Sequence, residues 1–263
     1  MNQNPRYELF SQGIYVDPMT DFESLRRMAH LLRPRRSKFD LIRIGSNHDG
    51  GYLVPNDLEG LEACFSPGVD QIASFETQLS SMGLLSHMAD ASVNSPPPGT
   101  PFKSFEKKYI GGLTYEEYIT LDDWVNDKEP NAKPDSLILQ MDIEGSEYES
   151  LLSASMDTLR KFRIMAIEFH LVETWGQKDF FRIVDLTLRK ILSEFTVVHS
   201  HPNNATGIVN MNGFLAPRVF EITFLKSSRS SFSGWATLPH VLDCPNIPQI
   251  PDLKFPDLWM ADN

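Results

Sequence analysis

Four carboxylates, Asp142, Glu144, Glu147 and Glu149, fall within eight residues directly after the apolar run Leu137 to Met141. Such a run bounded by polar residues reads as an interior strand, and in open α/β sheets ligands bind at the carboxyl ends of the strands. A second apolar run, Phe162 to His170, also closes on polar groups, Glu168 and His170. Histidine titrates near working pH, so His170 is the candidate proton acceptor. The nearby Glu168, Asp142 and Glu144 favour that role over a plain structural hydrogen bond at a strand end. Glu147 and Glu149 read differently, as solvated acidic residues that complement the dipole at a helix amino end.

Two further stretches offer binding groups. In FSPGVDQIASFE, Phe65 to Glu76, a glycine right after a strand lets backbone approach a ligand, and the next helix start favours a polar or anionic group. Ser66, Pro67 and Gly68 supply one glycine and no GxGxxG, so an ordinary strand-to-helix turn fits as well. Asp90 lies about 20 residues further on, where nucleoside-binding α/β proteins hydrogen-bond ribose hydroxyls. In HSHPNN, His199 and His201 alternate along a strand and share a face. With Asp142 or Glu168 they could hold a divalent ion, but Pro202 and the asparagines suit a polar turn, which is the preferred reading. His199, His201 and Asn204 remain candidates for an acceptor pocket, as does Glu168. Phe102 to Tyr118 is rich in aromatics without helical period and reads as a peripheral strand with surface rings. Trp175 and Phe180 stand where a lid over an acceptor would begin.

The elements that must position these groups alternate along the chain. Asp21 to Leu32 reads as a helix opened by Thr20 or Asp21 and stopped by Pro34. Leu41 to Gly45 and Gly51 to Pro55 suggest a hairpin around SNHDG. Ala63 to Asp70 is a strand running into a turn, and Ser74 to Met82 a helix whose Ser cap is answered by Glu76. Leu84 to Ser92 returns as a strand ending in Asp90, and SPPPGTPF breaks regular structure. Thr120 to Val125 and Ser146 to Ser153 read as helices, Asp179 to Glu194 as a longer one, and Phe195 to Pro202 and Val219 to Leu225 as late strands. The alternation predicts an α/β fold with a doubly wound sheet.

With 263 residues and 41% hydrophobic content, the chain has ample material for one packed domain. Its expected organisation is a helical extension over 1–40, a core over 41–225 and a Pro-rich strap over 226–263. The strap's prolines forbid a helix, yet Ile247, Ile250, Leu253, Phe255 and Trp259 suit packing on the body or on a neighbouring subunit, which leaves a homo-oligomer open. A formal charge of −11 argues against a broad grip on nucleic acid, and the basic stretch Leu25 to Arg36 reads as the solvated face of an amphipathic helix. Cys64 and Cys244 have no metal or disulfide spacing, which suits a reducing, cytoplasmic setting. Neither a signal-peptide pattern nor a membrane-length apolar run is present.

The motifs DGGYLVP (Asp49 to Pro55), FSPGVDQIASFE, TLDDWV, MDIEGSEYE and IEFH, with HPNNATG before VFEITFL, occur in an order that resembles the FkbM-type S-adenosylmethionine-dependent methyltransferases. The resemblance spans roughly Ile42 to Leu225. It implies a Rossmann-like class I methyltransferase fold, a mostly parallel seven-stranded sheet with helices on both faces. It also implies S-adenosylmethionine as cofactor, with Phe65, Ser66, Pro67 and Gly68 under its methionine part and Glu76 reaching back to that loop. Asp90 would hold the ribose, and Asp142 and Glu144 would stand beside the methyl group and acceptor. The family's usual company suggests an oxygen acceptor on a small molecule, sugar or glycan. A metal is not required by this reading. The alternatives are a metal-dependent hydrolase built on Asp142, Glu144, Glu168, His170, His199 and His201, and a non-catalytic binding module on the same fold.

Overall fold

The computed structural model describes residues 5–69 and 71–260. Asp70 and the strap's last three residues, 261–263, lie outside the described residues.

Seven strands form the central sheet: β1 Ala63–Pro67, β2 Ser86–Ala89, β3 Ser104–Glu106, β4 Leu137–Met141, β5 Phe162–Phe169, β6 Phe195–Pro202 and β7 Phe220–Lys226. Their order across the sheet is β6-β7-β5-β4-β1-β2-β3. All run parallel except β7, which is antiparallel to both neighbours. This is a Rossmann-like α/β sheet. β1, β2, β4, β5 and β7 are buried at every residue because both faces of the sheet are covered.

The period-2 alternation of a strand divides that burial into two layers. On one face Phe65, Leu139, Met141 and Ile167 join a large core with residues of α2 Phe22–Leu31, α4 Leu121–Lys128, α5 Glu147–Ser153 and α7 Lys178–Leu192. On the other face Cys64, Ile138, Ile164 and Ala166 meet α3 Ser74–Ser81 and the hairpin of Leu41–Ile44 with Tyr52–Pro55. Local signals start several of these helices. Asp21 caps α2 by accepting the Ser24 N–H at 2.8 Å, and Thr120 caps α4 by accepting the Asp123 N–H at 3.1 Å.

One cap departs from expectation. Ala73 stands at the N-cap of α3, the Ser74 hydroxyl donates to the Gly50 carbonyl, and Glu76 turns inward, 3% exposed. The inward turn puts a carboxyl beneath the sheet edge instead of closing a capping box. Both chain extensions join the main core: Leu25, Met28 and Ala29 of α2 pack in it, as do Phe255 and Trp259 of the strap. Trp259 stacks on Phe255 at 5.3 Å and donates to the Leu215 carbonyl. Among the described residues no helix is long and apolar enough to cross a membrane.

Candidate active site

The strand order reverses between β1 and β4, and ligands bind at that switch point in open α/β sheets. A cavity of about 550 Å³ opens there, bounded by Gly68, Glu76, Asp90, Asp142 and the aromatic ring of Tyr118. Gly68 is the residue that lets the two loops meet. Its φ is +83°, and a Cβ at this position would stand 1.5 Å from the Asp142 carbonyl oxygen. Only glycine supplies both the left-handed backbone and the room.

At one end of the cavity Asp90 closes the loop after β2. One carboxylate oxygen accepts the Val69 N–H at 3.1 Å and the other accepts the Ser92 N–H and hydroxyl at 2.8 and 2.7 Å. Tyr109, Ile110 and Tyr118 form the adjoining wall. The floor is polar: Ser66 Oγ bridges Glu76 and Gln140, and Gln140 in turn donates to the Tyr52 hydroxyl at 3.3 Å. Burial pushes the Glu76 carboxyl above the usual range, partly offset by its bond to Ser66. Phe65 does not reach the cavity. Its ring packs edge-on against Trp124 on the opposite face, while the Pro67 carbonyl accepts the Asp142 N–H at 3.3 Å.

The other end is acidic. Ile167 pairs with Met141 and Glu168 with Glu221, while Glu221 pairs with His201. One residue beyond β4, Asp142 therefore falls in a row with Glu168, Glu221 and His201 across four strands. Glu168 and Glu221 are each pushed up to about 8, chiefly by burial. Asp142 also lies well above the ordinary carboxyl value, through burial and then the Glu168 charge. Two carboxyls this close in a dry site cannot both ionise cheaply. The phenol of Tyr52 lies over the same row, raised by burial and by the charges of Asp142, Glu168 and Glu221.

His170 completes this end. Its Nδ1 lies 3.0 Å from Glu147 Oε1, and its Nε2 is 3.7 Å from Asp142 Oδ1 and 3.5 Å from Glu144 Oε2. Glu147 is fully buried and also accepts the Ile143 and Gly145 N–H groups at 3.3 and 3.1 Å. A carboxylate cannot donate, so Nδ1 carries the hydrogen and Nε2 faces the site. The turn that aims these groups is strained: Glu144 at φ 56° and Gly145 at φ 111° stand in left-handed backbone, as does Leu171 beside His170 at φ 55°. Despite burial, the surrounding carboxylates hold the His170 imidazole above its ordinary value.

A model of the methyltransferase FkbM domain matches residues 10–195. The chain belongs to the FkbM methyltransferase family. Among solved structures, this FkbM protein is similar to a putative hemolysin from Streptococcus thermophilus, with 12% identity over 73% of this chain and 64% of that one, TM-score 0.38. It thus spans just under two thirds of the hemolysin's length. It is also similar to magnesium protoporphyrin IX methyltransferase from Synechocystis PCC 6803 with bound SAH, at 15% identity over 85% of this chain and 98% of that one, TM-score 0.33. A fibrillarin pre-rRNA processing protein from Methanococcus jannaschii shares 8% identity over 72% of this chain and 83% of that one, TM-score 0.37. No curated protein matches the sequence.

Within this FkbM fold the late histidines serve another element. His199 Nε2 lies 2.8 Å from Asp243, and His201 Nε2 lies 3.1 Å from Asp252, both on the strap. Asn204 donates to the Ile247 carbonyl at 3.0 Å and accepts the Ile247 N–H at 2.9 Å. His199, His201 and Asn204 are thus held by the strap and do not line the cavity, which also removes two ligands from the hydrolase constellation. Glu168 is held by Asn203, whose amide donates to it at 2.7 Å. Trp175 is fully buried, donates to the Tyr148 hydroxyl at 2.9 Å and belongs to the core, not to a lid.

Glu147 was expected in solvent and is instead the partner of His170, whereas Glu149 is exposed as expected. The Gly in MDIEGSEYE was the available signal, since the tight turn at Gly145 lets the carboxylate two residues on fold back onto the Ile143 and Gly145 N–H groups. Glu221 escaped sequence reading because only strand register joins it to Glu168, and Asn246, which donates to it at 2.9 Å, because it lies on the irregular strap.

Proposed function

We propose that the protein transfers a methyl group from S-adenosylmethionine to an oxygen of a small polar acceptor, such as a sugar or glycan unit. The observation that carries this reading is a single cavity at the sheet's switch point with a nucleoside-type carboxylate, Asp90, at one end and Asp142, close to His170, at the other. Family membership supports the reaction class.

The adenosine would lie against Tyr109, Ile110 and Tyr118, with Asp90 toward the ribose. The methionine part would run over Gly68 toward Glu76, whose carboxyl can answer its ammonium group. The reaction is an in-line displacement: the acceptor oxygen bonds to the methyl carbon, the carbon–sulfur bond breaks, and its electron pair remains on sulfur as a neutral thioether. The hydroxyl proton passes to His170 Nε2, because Glu147 already holds the other nitrogen. Asp142 and Glu144 flank that nitrogen and stabilise the imidazolium that results. Two unpaired cysteines, Cys64 and Cys244, support a reducing, cytoplasmic setting.

The test is a screen of hydroxylated acceptors with methyl-labelled donor, run beside an amine set. Label transferred to a hydroxyl supports the oxygen assignment, and label on amines alone overturns it.

A further inference from the structure

We infer that Asp142, Glu168 and His170 form a binding site for a divalent cation. One donor atom from each lies within 4.8 Å of the other two. Ligands bonded to one ion at roughly 2.0–2.3 Å stand about 3–4.5 Å apart, so small side-chain rotations close the set.

Three independent features point the same way. The Nδ1–H of His170 is committed to the fully buried Glu147, which fixes the tautomer and turns the Nε2 lone pair into the cluster, the usual arrangement of a metal-bound imidazole. Asp142 Oδ1 is shielded from solvent and has no hydrogen-bond partner among the described residues. Glu168 is 3% exposed and has one oxygen held by Asn203, so its orientation is set before any ligand arrives. Glu221 and Tyr52 lie around the same row, and no lysine or arginine ion-pairs with Asp142 or Glu168 among the described residues. Two oxygen donors against one nitrogen favour an ion of the magnesium and manganese class over zinc.

The site adjoins the cavity through Asp142, which lines both. The role of the ion rests on the methyltransferase reading: it would seat an acceptor hydroxyl beside the methyl donor and acidify it. Nε2 cannot hold an ion and accept a proton at once. With an ion on Nε2, Glu144, which is exposed and borders that nitrogen at 3.5 Å, would take the hydroxyl proton in place of His170.

The experiment is titration of chelator-treated full-length protein with MnCl2, followed by electron paramagnetic resonance of free Mn2+, with S-adenosylhomocysteine binding measured on the same samples. The expected result is one saturable Mn2+ site per chain, competed by Mg2+ and weakened at least tenfold in both Glu168→Gln and His170→Ala. Absence of saturable Mn2+ binding, or binding unchanged in both variants, overturns the site. S-adenosylhomocysteine binding without Mn2+ binding defeats the cation site and leaves the methyltransferase reading standing. Mn2+ binding that follows the variants, without S-adenosylhomocysteine binding, supports the site and counts against that reading.

Discussion

His170 Nδ1 lies 3.0 Å from the fully buried Oε1 of Glu147, so the imidazole presents Nε2 alone to the cavity side. A residue just past the end of β5 and the first residue of α5 thus fix a tautomer as well as a position. Replacing His170 with alanine is expected to lower turnover roughly 100- to 10,000-fold while S-adenosylhomocysteine affinity stays within a factor of about three, because the ring does not line the cofactor end of the cavity. Glu147→Ala should lower turnover too, and Glu147→Gln should restore part of it, since an amide oxygen can still accept from Nδ1. Label-transfer kinetics and calorimetry on the three variants check this.

Glu168 is held near 8 by burial and by the Glu221 charge. The folded protein therefore keeps a proton there that the unfolded chain has released above about pH 4.3. Stability from this group is complete below that value and is lost as pH rises through about 8, at up to about 1.4 kcal/mol per pH unit. Thermal melts of the chelator-treated protein from pH 6 to 9 should show a falling melting temperature that flattens above about 8, with a smaller slope in Glu168→Gln. An identical slope in the variant would remove Glu168 from the account.

Gly68→Ala would press a methyl group to 1.5 Å from the Asp142 carbonyl in left-handed backbone. We expect a loss of at least about 2 kcal/mol of stability and of S-adenosylhomocysteine binding, whereas Gly83→Ala, with open space around it, should pay only the conformational cost. Urea denaturation of both variants gives the comparison.

Much of the fold was legible before the structure. The β4 and β5 runs are mostly apolar and end in charge, so their reading as interior strands follows from composition. Asp142, Glu144 and His170 were legible as a group because each sits within three residues of such a strand end. Glu147 was not, since an acidic residue in the first turn of a helix looks the same whether solvated or folded back on a histidine. His199 and His201 were read as sharing a strand face and Asn204 as part of the turn after it, but their partners lie 43 to 51 residues away in a segment without period. Long-range pairing with an irregular strap leaves no local pattern to read. The aromatics at Tyr109 and Tyr118 read as surface rings for a similar reason: their short strands carry no apolar alternation, yet they wall the cavity.

The strap supplies a separate test. Burial keeps the His199 imidazole below its ordinary value, so near neutral pH its bond to Asp243 joins a neutral donor to a carboxylate. Asp243→Ala should destabilise the protein by about 1.5–3 kcal/mol and leave S-adenosylhomocysteine affinity unchanged, as read by denaturant unfolding and calorimetry. A change in cofactor affinity with no change in stability would contradict the assignment of His199 to the strap.

The most direct measurement is isothermal titration of the purified protein with S-adenosylhomocysteine, alongside Asp90→Asn. The account predicts saturable one-to-one binding, a rise in melting temperature with ligand concentration, and an affinity at least tenfold weaker in the variant. No binding by the unaltered protein at millimolar ligand, with or without a divalent ion, would contradict it.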